Sequence, residues 1–231
     1  SPTVHGRRPA SRYDDVNPLE LPEEERRTWR DLERDATGCT RCDLHRTRTT
    51  VVFGEGDPDA DLFILGERPS RHDDLQGKPF VGGAGNVLTN ALSDAGLTRE
   101  ECYVATVVKC LPVPAEAMGR PEVESCSPYL LEQLAHVSPR VIVTLGQFTT
   151  QLLLRREVPF PKVAGYRFDI YSGVTLIPTF PPAAALRGHP AAVTALSRDL
   201  RTAKAVLDGR MPTGAEALAE VRARRGQGGP G

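Results

Sequence analysis

Four short apolar runs punctuate this chain: Leu62-Phe63-Ile64-Leu65, Tyr103 to Val108, Val141-Ile142-Val143-Thr144-Leu145 and Val174-Thr175-Leu176-Ile177. None alternates apolar with polar residues, so each reads as a strand buried on both faces rather than one half-wetted. Two are stopped by glycines, Gly66 and Gly146. Helical spacing lies between them. Val87, Leu88, Ala91, Leu92 and Ala95 recur on one helix face, and Gly96 sits where a helix-ending glycine belongs. Residues 121–137 read as a helix broken or kinked at Pro128. Residues 147–154 read as another, and Val193, Leu196, Leu200, Ala203 and Leu207 stripe a long last one. Upstream, Pro22 followed by Glu23, Glu24 and Glu25 has the signature of a helix start, with Trp29 and Leu32 as its apolar side and Gly38 as its end. Strands alternating with helices predict an α/β fold, a three-layer α/β/α sandwich around a mostly parallel four-stranded sheet. In such sheets ligands bind beyond the carboxyl ends of the strands. The loops to watch are therefore 66–82, 109–120, 146–148 and 178–188.

A chain of 231 residues accommodates one large domain. We place it at 19–209, between a disordered arm over 1–18 and a flexible tail over 210–231, where Gly, Arg and Ala take over. Lys and Arg number 29 against 30 Asp and Glu, a net charge of −1, which excludes binding by global basic charge but permits a local patch. No apolar run nears the ~20 residues of a membrane helix, and the first residues carry no apolar signal core. A cytoplasmic monomer is the expectation.

Five cysteines in such a chain argue against a disulfide framework. Cys39 and Cys42 form a C-x2-C pair, and Cys110 and Cys126 follow far downstream. Four thiolates of this kind suit zinc or an iron–sulfur centre, and spacing alone does not choose between them; simple burial is the competing account. Cys102 falls on a strand and reads as core. Gly82-Gly83-Ala84-Gly85 lacks the Gly-Lys-Ser/Thr ending of a phosphate loop and reads as a turn opening a helix. Glu67 and Arg68 follow the first strand into the expected cleft. His72, Asp73 and Asp74 read as a solvated acidic loop. Arg41, Arg46, Arg48, Lys78, Arg187, Arg198, Arg201 and Lys204 are candidates for a basic surface.

Taken together, these segments resemble the iron–sulfur type, family 4, of the uracil-DNA glycosylase superfamily, over roughly Trp29 to Leu207. Gly66-Glu67-Arg68-Pro69-Ser70 resembles the motif Gly-Glu-Ala-Pro-Gly. Gln76-Gly77-Lys78-Pro79-Phe80-Val81-Gly82 matches the next segment, Val107-Val108-Lys109-Cys110 the one after, Pro139 to Gly146 the third strand, and Thr179 to Arg187 the last motif. The resemblance implies a [4Fe–4S] cluster on Cys39, Cys42, Cys110 and Cys126, and DNA, single- or double-stranded, as partner. It also implies Phe80 as the stacking ring for a flipped base, with Gly66 and the Thr106 position beside that base. Leu186 would be a wedge into the vacated stack and Arg187 a phosphate contact.

Three departures touch the chemistry. The family's Asn that reads the uracil edge is replaced by Thr106, a hydroxyl in place of a bidentate amide. The His that meets the departing base is replaced by Pro181, whose side chain donates nothing. Arg68 and Ser70 stand where small residues are usual. Glu67 remains as the group to stabilise positive charge on the sugar. These changes lead us to expect a DNA glycosylase acting on uracil or a related damaged base with reduced or altered activity. The alternatives are a DNA-binding relative without catalysis and, from another class, a zinc-stabilised small-molecule α/β protein.

Overall fold

A computed structural model describes residues 16–226. In chain order the helices are α1 (Trp29–Thr37), α2 (Arg71–Gln76), α3 (Gly83–Asp94), α4 (Arg120–Val137), α5 (Gln147–Leu154), α6 (Pro182–Leu186), α7 (Pro190–Leu207) and α8 (Gly214–Gly226). The strands are β1 (Glu55–Gly56), β2 (Leu62–Gly66), β3 (Cys102–Thr106), β4 (Val141–Leu145), β5 (Phe168–Ile170) and β6 (Val174–Thr179). They form one sheet in the order β1-β3-β2-β4-β6-β5, with the four central strands parallel and both edge strands antiparallel.

Alternate residues of the central strands feed opposite layers. Phe63, Leu65, Tyr103, Ala105, Ile142 and Leu176 pack under α1, α4 and α5. Leu62, Ile64, Val104, Val141, Val143 and Ile177 pack under α3 and α7. Every residue of β2, β3, β4 and β6 is buried, and each large aliphatic so placed contributes about 1.5–3 kcal/mol. This two-sided burial is why the runs show no alternation, and it confirms the three-layer α/β/α reading. Register sets the site. Gly66 pairs with Thr106, Leu65 with Thr144 and Leu145 with Thr179, so the ends of β2, β3, β4 and β6 reach one rim together.

The sheet has six strands where four were expected. β1 and β5 are two and three residues long, too short to carry a period, and exist by pairing to an edge. The acids after Pro22 form only a short 3-10 turn, Glu23–Glu25. The helix proper starts at Trp29, because Thr28 Oγ1 accepts the Asp31 amide at 3.2 Å and caps it. Pro128 lies inside a continuous α4. β3 stops at Thr106, and Val107 and Val108 then donate to the carbonyls of Gly66 and Glu67 at 2.9 and 3.3 Å. Of the arm and tail, residues 1–15 and 227–231 lie outside the described residues. Residues 214–226, read above as tail, form α8 against β5 and β6. Gly214 donates its amide to Thr175 Oγ1 at 2.9 Å, and Thr213 and Glu216 close a capping box at the helix start.

Candidate functional site

A cleft of about 680 Å³ opens at the carboxyl rim of the sheet. Gly66, Glu67, Phe80, Pro181, Leu186 and Arg187 all line it. The Phe80 ring lies directly over Gly66: a Cβ added to Gly66 would stand 2.5 Å from Phe80 Cζ. Phe80 holds a left-handed backbone, φ 54°, which an L side chain adopts at a cost of about 1–3 kcal/mol. Arg99 secures it by donating to the carbonyls of Pro79 at 2.7 Å and Phe80 at 3.0 Å. Arg99 also pairs with Glu55 at 3.1 Å, and Lys78 pairs with the same carboxylate at 3.0 Å. Burial pushes the Glu55 carboxyl up, but the hydrogen bonds from Lys78 and Arg99 outweigh it, leaving it below the usual carboxylate range.

Asp73 and Asp74 are not a solvated loop. Both are 3 % exposed. Asp73 accepts the amides of Ser70 and Val81, each at 2.9 Å, tying the start of α2 to the residue after Phe80. Asp74 accepts from Thr49 and Thr50. The signal was in the sequence: Ser70 and Asp73 have capping-box spacing, and Ser70 does cap α2.

Thr106 lies beneath the cleft rather than on its wall. It is 1 % exposed, and its hydroxyl donates to the Val108 carbonyl at 2.8 Å. Its methyl faces Gly66. Its own carbonyl accepts from the buried Lys109 ammonium at 2.7 Å, and Lys109 also reaches Gln133 Oε1 at 2.6 Å. Glu67 pairs with Arg68 at 3.7 Å in the cleft wall. Pro181 precedes α6 and sits against Gly146. Leu186 is 59 % exposed and its methyls rest over Gly83. His189 occupies the N-cap position of α7 without a capping hydrogen bond and does not join the lining. Sequence reasoning did not single out Gln147 and Gln151 or place His72 on the wall, yet all three line the cleft; only the position of loop 146–148 after a strand hinted at the glutamines. Helices α3, α5 and α6 begin at this cleft with neither a side-chain cap nor an acid in the first turn. Their partial positive charge is therefore left for a ligand.

A second, smaller cavity gathers Cys39, Cys42, Cys110 and Cys126, with Arg48, Lys109 and Tyr129 around them. Cys102 is apart on β3, its thiol against the Thr98 carbonyl. Among the described residues no group of three Cys, His, Asp or Glu side chains stands ready to hold a single metal ion. A multi-atom cluster spreads its four thiolates wider than one ion does, and the donor set suits such a cluster. The Lys109 amide donates to Cys126 Sγ at 3.2 Å and Arg48 to Cys110 Sγ at 3.5 Å. Burial pushes the Cys42, Cys110 and Cys126 thiols up, Cys126 to about 12. The charges of Arg48 and Lys109 pull the other way, toward the thiolates that ligation requires.

The family model for the Uracil DNA glycosylase superfamily matches residues 53–201. A "Type-4 uracil-DNA glycosylase" of Archaeoglobus fulgidus is 38 % identical over 163 residues, covering 68 % of this chain and 82 % of the relative. Its counterpart in Thermotoga maritima is 40 % identical over 152 residues, covering 65 % and 79 %. That of Saccharolobus solfataricus is 36 % identical over 180 residues, covering 74 % and 83 %. Matches of this extent, over a sheet whose rim forms the cleft, place the chain in the uracil-DNA glycosylase superfamily, on its type-4 branch.

Proposed function

We propose that this chain is a DNA N-glycosylase of base-excision repair that takes uracil or a related damaged base, with a changed set of donors and slower uracil release. The observation that carries the reading is the clamped Phe80 ring over a glycine floor, flanked by an exposed leucine and an arginine. A base rotated out of the helix stacks on Phe80, at a cost of a few kcal/mol for unstacking. Leu186 fills the space it leaves, and Arg187 and the helix starts hold phosphates. The bond between sugar and base then breaks with positive charge on the sugar, which Glu67 stabilises, and negative charge on the base. Pro181 offers that base no side-chain donor, and the Thr106 hydroxyl is committed to Val108. The protein acts as a monomer on single- or double-stranded DNA.

Cys39, Cys42, Cys110 and Cys126 would hold a [4Fe–4S] cluster. Bound there, it supplies folding free energy, joining the turn after α1 to the segment after β3 and to α4. Pro181 and Thr106 together favour one second reading, a relative that binds damaged DNA without cleaving it.

Single-turnover release of uracil from a defined oligonucleotide tests the choice, beside Phe80→Ala. Slow release that Phe80→Ala abolishes supports the glycosylase. Tight, salt-sensitive binding with no release of uracil or other deaminated bases supports the binder.

A further inference from the structure

The cleft lacks a histidine donor at the position of Pro181, yet it is not short of positive charge. Of its lining side chains, Ser70 is spent capping α2, and Gln151 donates to the Val158 carbonyl at 3.2 Å. Arg187 follows Leu186 at the outer end of α6, on the side of the wedge. Arg68 is different. It comes two residues after Gly66, the floor under Phe80, on the wall that carries Glu67. Its Nε faces Glu67 Oε1 at 3.7 Å, and its two terminal nitrogens make no hydrogen bond among the described residues. A partly exposed guanidinium in the cleft wall, drawn toward Glu67 by charge but not hydrogen-bonded to it, keeps its donors available for a carbonyl oxygen.

We propose that Arg68 is the catalytic donor to the departing base, in the role that Pro181 cannot fill. The inference rests on the glycosylase reading and names the group that makes it work. The C1′–N bond breaks with its electron pair going to the base. The Arg68 N–H groups stabilise the negative charge on the base oxygen next to the breaking bond. Water adds to C1′ and gives its proton to bulk water, and the released base anion takes a proton from water. Arg68 keeps its own proton throughout. Glu67 has two tasks in this arrangement: its charge serves the sugar cation, and it draws the guanidinium toward the same wall.

The rival donor is His72, which also lines the cleft and lies against Gly82. The experiment is single-turnover base release from a uracil-containing oligonucleotide by the intact protein, Arg68→Met, Arg68→Lys and His72→Gln, with the dissociation constant for the same DNA measured alongside. Thermal melting confirms that each variant is folded. We expect Arg68→Met to lower the rate by about 10²-fold with affinity little changed, and Arg68→Lys to recover part of it. We also expect His72→Gln to leave the rate within a few-fold of the unaltered protein. An unchanged rate in Arg68→Met overturns the proposal alone. So does a loss confined to affinity, or a rate abolished by His72→Gln. Release of no base by the unaltered protein overturns the glycosylase reading, and the proposal with it.

Discussion

The cysteine pocket and the cleft share one scaffold and relate differently to the family they resemble. Around the thiols every position of the pattern is kept: four cysteines on three separate segments meet at one cavity, with backbone and arginine donors at two of the sulfurs. In the cleft the frame is kept, since Gly66, Phe80 and Leu186 stand where the pattern has them, but the groups that would address the base are replaced. On the glycosylase reading proposed above, Pro181 offers no side-chain donor, the Thr106 hydroxyl is committed to Val108, and Arg68 is the proposed replacement. Holding the fold and performing the chemistry are thus separable in this chain. The first depends on buried residues, and the second, on that reading, on cleft-wall side chains such as Pro181 and Arg68 together with the buried Thr106 beneath them.

The comparison breaks first at the thiols. Cys126→Ala should remove the cluster, measured as iron content and visible absorption. It should lower stability by more than the ~2–5 kcal/mol of a large core truncation, seen as a fall in Tm; zinc in the purified protein, or full iron content in the variant, would defeat the assignment. The next effect lies in the cleft. Pro181→His should raise uracil release by about 10²–10³-fold, the worth of one preorganised donor, with DNA affinity retained. No gain would mean that the wall has been rebuilt around Arg68. Asp73→Ala tests whether the frame is as unyielding as the pocket. It strands the buried amides of Ser70 and Val81 and should cost about 1.5–3 kcal/mol, read as a lower urea midpoint at unchanged m.

The smallest effect is acid-dependent. Glu55 is held below the usual carboxylate range when folded, so its contribution is present above the unfolded value of about 4.3. It is lost as pH falls through the folded value. The Tm difference between the unaltered protein and Glu55→Gln should therefore shrink toward zero on acidification. Because the group is partly exposed, water screens most of the effect.

How much of this was legible beforehand follows from what each residue's neighbours do. The buried strands and the helices α3, α5 and α7 were readable, because burial on one or both faces forces a periodic or continuous apolar pattern. β1 and β5 were not, since edge pairing decides them. α8 was hidden by its composition, although Thr213 and Glu216 carry a capping signal. In the site, glycines and aromatics announced themselves. The braces did so only in part: Asp73 has capping-box spacing to Ser70, but Asp74 looks like a surface acid until the amides it accepts are known, and the turn of Thr106 toward Val108 is a tertiary fact.

Phe80 carries a last consequence. Its left-handed backbone, the two carbonyls gripped by Arg99 and the bare floor at Gly66 are all in place before any base arrives. The ordering cost of the platform is therefore met during folding and is absent from the encounter with DNA. Calorimetry of an extrahelical base entering the cleft should show a negative heat-capacity change set by the stacked rings and the wedge, without the larger one that accompanies loop folding on binding. Loosening the grip, as in Arg99→Gln, should transfer that ordering back to the encounter, with a less favourable entropy and a heat capacity of larger magnitude.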